Sequence, residues 1–151
     1  MSQEPTHFDL IVIGGGPGGY ASALYGSAAG MNVALVEMTK IGGTCLHVGC
    51  IPAKELLETA SVLRTVREAE EFGVMTSEPT LNLTKTMERK QGVINQLTKG
   101  VESLLERRKV TVYNGIGSLM PNRKVKIQGI DNSEIMINGD HVILASGSKP
   151  R

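Results

Sequence analysis

"FDLIVIGGGPGGYASALYGSAAGMNVALVE", residues 8–37, is the stretch that decides the fold. Residues 8–13 form a short run, apolar but for Asp9, that reads as a buried strand. Glycines follow at once. Ala21, Ala23, Leu24, Ala28 and Ala29 then mark a helix of small residues able to lie close on a sheet, and Gly30 is its stop signal. "NVALVE" (32–37) reads as a second strand. Strand, helix and strand in about 30 residues make a βαβ unit, with parallel pairing and a right-handed crossover. The fold class is α/β.

Between strand and helix stands G-x-G-x-x-G, as Gly14, Gly16 and Gly19. The first glycine permits the tight turn, the second lets backbone approach a diphosphate, and the third lets helix and strand pack closely. A helix N-terminus offers free N–H groups and partial positive charge to an anion. Glu37 closes the second strand, where its carboxylate can accept hydrogen bonds from ribose hydroxyls and would repel a 2′-phosphate. Pro17, Gly18 and Met38 complete this unit's candidate cofactor-binding residues. The pattern does not choose between FAD and NAD, and a turn without ligand is its alternative.

Both cysteines of the chain fall in "GGTCLHVGCIPAK" (42–54). In a regular helix Cys45 and Cys50 would be about 7.5 Å apart along the axis alone. A disulfide wants Cα atoms within about 7 Å, so a bonded pair requires an irregular turn, for which Gly49, Gly42 and Gly43 give latitude. Cys50 is placed just before a helix starting near Pro52, where dipole and free N–H groups favour a thiolate, helped by Lys54 one turn on. Two other readings stay open at this point: buried core cysteines, and part of a metal site, for which His7, His47 and His141 offer no matching spacing.

Downstream, a helix is expected from Pro52 to about Glu71, with Leu56, Leu57, Ala60, Leu63 and Phe72 on one face and Gly73 as its end. A second helix is expected over 84–108, striped by Met87, Ile94, Leu97, Val101, Leu104 and Leu105. Gly100 inside it implies close approach by another backbone. Four short strands follow, at 110–114, 124–128, 134–137 and 141–145, with Asn138-Gly139 reading as a hairpin turn between the last two.

The 151 residues suit one domain, the net charge of +1 gives no case for nucleic acid or an anionic membrane, and 3% aromatics offer no stacking platform for bases. No run approaches the ~20 apolar residues of a membrane span. The N-terminus lacks the features of an export signal, so the expected location is the cytoplasm. In that reducing compartment a lasting structural disulfide is unusual, which favours transient chemistry.

With both motifs in view, the chain resembles the FAD-dependent pyridine nucleotide–disulfide oxidoreductases, and within them the branch that acts on dihydrolipoamide. "GGTCLHVGCIPAK" is similar to that family's redox signature, G-G-T-C-L-N-V-G-C-I-P-S-K; His47 and Ala53 depart from it. "VILASGSKP" is similar to its A-T-G-S-x-P, with Ser146 for threonine. The resemblance implies a Rossmann-like FAD-binding domain with a parallel sheet, long helices and a small β-meander, lacking its last strand and so leaving a sheet edge open. Residues 1–151 would be its N-terminal segment, with NAD-binding and dimer-interface domains outside this chain.

Gly14, Gly16 and Gly19 would cradle the FAD pyrophosphate and Glu37 its ribose. Gly43, Thr44 and Lys54 would lie along the flavin. Gly117 would approach the adenine, and Ser146 and Gly147 would also contact the cofactor. Cys45 would exchange with the substrate dithiol, and Cys50 would be the thiolate beside the flavin. Electrons would pass from dihydrolipoamide through the disulfide to FAD and then NAD. The partners implied are a lipoyl-bearing subunit of a 2-oxo acid dehydrogenase complex or the glycine cleavage system, and a second copy in a homodimer. The alternatives are another disulfide reductase of the same family and a flavin-binding redox module without turnover.

Overall fold

The computed structural model describes residues 6–148. Strand β1 (Thr6–Ile13), helix α1 (Pro17–Ala28) and strand β2 (Val33–Glu37) form the expected unit, with parallel register from Leu10↔Val33 to Ile13↔Val36. Period-two alternation divides these apolar strands between two faces. Leu10, Val12, Val33 and Leu35 pack with Ala23 of α1 and with Ile41, Leu105 and Val110. Ile11, Ile13, Ala34 and Val36 face the other way, onto Val125, Ile127 and Ile137. A sheet covered on both sides has no polar face, which is why Leu10–Ile13 is apolar at every position. Gly26 explains the small-residue helix, since a Cβ there would stand 2.7 Å from Leu10.

The second layer comes from two strands that each belong to two pairings. β3 (Thr111–Met120) runs parallel to β2 over Thr111–Asn114 and then antiparallel to β4 (Lys124–Gly129). β5 (Glu134–Leu144) pairs antiparallel with β4 over Glu134–Asn138 and parallel with β1 over Ile137–Leu144. The strands thereby close into a ring through β4. Along His141–Leu144, β1 is the one neighbour among the described residues, so the sheet edge is open there.

The turn read at Asn138-Gly139 does not exist. β5 continues through it, with Gly139 opposite Phe8. The glycine answers to crowding, because a Cβ would lie 2.8 Å from the Ile11 side chain. Turns at Pro121–Arg123 and Asp131–Asn132 separate β3 from β4 and β4 from β5.

α3 (Cys50–Arg67) and α4 (Leu83–Arg107) form a two-helix arm. A 3₁₀ turn at Ala69–Phe72 extends α3 and stops at Gly73, whose φ is 76°. Asn82 caps α4 by accepting from the Lys85 amide at 3.0 Å. The apolar face read for α3 is corrected: Leu57 is 68% and Phe72 82% exposed, and Leu56 and Ala60 are exposed too. The covered side runs instead through Pro52, Glu55, Thr59, Leu63 and Val66, with Glu55 paired to Arg89 of α4. A single neighbouring helix covers only a narrow stripe, so the apolar residues outside it stay in water. On α4, Ile94 and Leu105 are buried, and Val101 packs against the cluster that holds Leu105. Gly100 has no atom within 4 Å of a built Cβ, so the expected close backbone is absent among the described residues. No helix among them is long and apolar enough to cross a membrane.

Candidate functional site: a nucleotide turn joined to a sulfur couple

The glycines at the end of β1 lack side chains for two different reasons. Gly14 has φ 106°, and a Cβ on it would stand 2.2 Å from the Ala145 carbonyl oxygen. On Gly19 a Cβ would stand 1.6 Å from Gly14 O. The fold itself demands these two. Gly16 and Gly18 are not so constrained: the nearest atom to a Cβ on Gly16 is Gly43 Cα at 4.0 Å, and Gly18 meets nothing. α1, twelve residues long, has no side-chain cap and no acidic residue in its first turn. The amides of Gly19 and Tyr20 donate to Gly16 O, each at 2.9 Å, and the room beside Gly16 and Gly18 at a helix N-terminus fits an anionic diphosphate.

Glu37 is buried, and its carboxylate is already engaged. Oε2 accepts from the Gly15 amide at 2.6 Å, and Oε1 accepts from the amide and hydroxyl of Thr39, each at 2.8 Å. The acid read as a sugar ligand thus also ties the glycine turn to the end of β2. Sequence reading missed Gly15 and Thr39; the available signal was a hydroxyl residue two positions after an acid at a strand end. Met38 between them is exposed.

Cys45 and Cys50 are bonded, with Cα atoms 4.6 Å apart. The helix is broken between them, as the spacing argument required. Short α2 (Gly43–His47) ends at Val48, α3 begins at Cys50, and the amides of Val48 and Gly49 both donate to Thr44 O. α2 was not foreseen, and Cys50 proves to be the first residue of α3 rather than its predecessor. An 18-residue helix with no acid in its first turn favours a thiolate at that position. Cys50, Thr44 and Lys54 are exposed, and Cys45 is half-buried.

The two motifs are joined. Gly42 N–H donates to Gly15 O at 2.8 Å, and a Cβ on Gly43 would stand 2.8 Å from Gly16 Cα. The segment after β5 reaches the same place. Ala145 N–H donates to Ile13 O, and Ser146 N lies 3.1 Å from a Cβ built on Gly14, with Gly147 next at φ 72°. Gly14, Gly16, Pro17, Gly18, Gly19, Glu37, Gly43 and Ser146 thus gather at one end of the sheet. Gly117 packs beneath this end: a Cβ there would press on Ile13 at 3.0 Å and Val36 at 3.1 Å, the residues just before Gly14 and Glu37, which is a packing reason for the glycine. His7 pairs with Asp140 at 3.3 Å, away from this end. Among the described residues no group of three or more His, Cys, Asp or Glu could hold a metal ion. The shifted titrations lie outside the site too: burial raises Tyr113, and the Ser133 hydroxyl and amide hold Asp131 below the usual carboxylate range.

A glycine turn of the dinucleotide-binding kind, hydrogen-bonded to a disulfide loop, defines a redox α/β domain. The chain belongs to the pyridine nucleotide-disulphide oxidoreductase family, a family of oxidoreductase enzymes, whose pattern matches residues 8–151. It is 42% identical to a dihydrolipoyl dehydrogenase of Bacillus subtilis, over 97% of this chain and 32% of that protein. It is likewise 42% identical to that of Chlamydia trachomatis, over 95% of this chain and 30% of that protein. A crystal structure of LpdA from Mycobacterium tuberculosis superposes with a TM-score of 0.86 at 23% identity, covering 97% of this chain and 32% of that one, a likeness of fold. The chain spans about a third of the length of these relatives.

Proposed function

We propose that residues 1–151 are the N-terminal, FAD-binding and disulfide-bearing segment of a dihydrolipoyl dehydrogenase. The observation that carries this is the Gly42–Gly15 hydrogen bond joining the Cys45–Cys50 loop to the nucleotide turn. The diphosphate would lie on α1's first turn beside Gly16, Pro17 and Gly18, with Gly14 and Gly19 shaping that turn. Glu37 would take the ribose, with Met38 beside it. Gly43, Thr44, Lys54, Ser146 and Gly147 would line the flavin, and Gly117 would serve the adenine end.

In the exchange, a thiolate of the dihydrolipoyl group attacks Cys45 Sγ. The Cys45–Cys50 bond breaks, and Cys50 leaves as a thiolate held at the start of α3. The second substrate thiol then attacks the mixed disulfide and displaces Cys45. The lipoyl disulfide closes, and two electrons rest on the cysteine pair. FAD, when bound, supplies the two-electron acceptor for that pair, with NAD as final acceptor.

The partner is a lipoyl group carried on a 2-oxo acid dehydrogenase complex or the glycine cleavage system, the full-length enzyme works as a homodimer, and the location is the cytoplasm. Residues 1–151 carry a single G-x-G-x-x-G, so alone they should give little turnover with NAD. The test is Cys45→Ser and Cys50→Ser in the full-length enzyme. Each should reduce lipoamide-dependent NADH formation to background, and turnover retained by either overturns the proposal.

A further inference from the structure

One contact in the redox loop has a purpose that neither motif supplies. His47, the last residue of α2 and half-buried, directs Nε2 to the Ile41 carbonyl oxygen at 2.8 Å. A carbonyl only accepts, so Nε2 carries the hydrogen. Ile41 is buried against Gly15, and the amide after it makes the Gly42–Gly15 hydrogen bond. His47 thus straps the end of α2 to the segment fastened to the nucleotide turn.

α2 has five residues and no side-chain cap. A helix that short has no stability of its own. Its anchors include buried Leu46, the packing of Gly43 on Gly16, the Cys45–Cys50 bridge and the His47 strap. Opening the bridge removes the one that ties Cys45 directly to Cys50. We propose that His47 is a positioning residue for the sulfur couple: its Nε2–H keeps α2, and with it Cys45, in register with Cys50 when the bridge is open, and so sets the couple's reduction potential. This rests on the reading of Cys45–Cys50 as a redox couple. A pre-ordered loop loses less entropy when the bridge re-forms. Without the strap the dithiol is favoured and the potential becomes less negative. A hydrogen bond of ordinary net worth corresponds to about 2- to 12-fold in the exchange equilibrium, and tenfold is about 30 mV for a two-electron couple.

The test equilibrates the full-length protein in reduced and oxidised dithiothreitol at graded ratios, followed by acid quench, alkylation and mass measurement of the cysteine pair. His47→Leu should shift the midpoint about three- to tenfold toward the dithiol. His47→Gln, whose amide nitrogen reaches the place of Nε2, should stay within about twofold of the native protein. His47→Asn, whose shorter amide does not reach it, should follow the leucine variant and serves if leucine prevents folding. A leucine or asparagine variant that titrates like the native protein overturns the inference, as does a glutamine variant shifted as far as they are. A native couple that no ratio reduces in the folded protein overturns both this inference and the redox reading beneath it.

Discussion

The glycine turn and the α3–α4 arm use the same residue to opposite effect. At the turn, Gly14 and Gly19 are hemmed in by carbonyl oxygens at distances no side chain tolerates. On the arm, Gly92 and Gly100 meet nothing within 4 Å. Apolar residues divide in the same way: Ile11, Val12 and Leu35 are fully buried beside the turn, whereas Leu57 and Phe72 stand in water on the arm. The turn is held in one geometry by several contacts at once. The arm is held along one stripe, and its remaining surface is unconstrained by residues 6–148.

The largest break in that contrast should come from Gly19→Ala. Backbone at 1.6 Å cannot yield cheaply, so a loss above about 4 kcal/mol is expected, read by denaturant unfolding; a stably folded variant would abolish the distinction. Next, Leu105→Ala should cost about 2–5 kcal/mol, against a change within about 0.5 kcal/mol for exposed Leu57→Ala. Gly100→Ala should stabilise by about 1 kcal/mol, raising Tm by about 2–4 °C; a destabilised variant would mean that another part of the full-length protein packs on that face.

Gly16→Ala sharpens the comparison inside the turn. The position is an N-cap with room for a methyl group, so stability should fall by no more than about 1 kcal/mol. Flavin absorbance of the purified protein should nevertheless be lost if backbone there meets a diphosphate. The smallest effect is at Asp131, far from both regions. Its carboxyl is held below the usual range by Ser133, so its contribution is present at neutral pH and fades as acid protonates it in the folded state. Acid unfolding of Asp131→Asn should be slightly less steep than that of the native protein.

Much of the site was legible because its chemistry is local. The order strand, glycines, helix, strand and acid can be read from neighbours in the chain, and the helix-rise argument required the break between Cys45 and Cys50. What escaped depended on distant partners. Asn138-Gly139 looked like a turn because Ile11, whose crowding explains the glycine, is far away in sequence. Glu37 looked free for a sugar because its bond to Gly15 closes only when β1 and β2 pair. The apolar face of α3 was misplaced because the covered stripe is chosen by α4, not by α3's own pattern.

By itself, then, the sequence determined the βαβ unit, the glycine turn and the need for a break in the helix if Cys45 and Cys50 are bonded, since each follows from steric and hydrogen-bonding rules acting over a few residues. Only the tertiary structure decided that the sulfur loop is fastened to the nucleotide turn, that β3 and β5 each serve two pairings, and which side of the arm is covered. Those outcomes depend on hydrogen bonds and packing between segments far apart in the chain, whose partners exist only once it has folded.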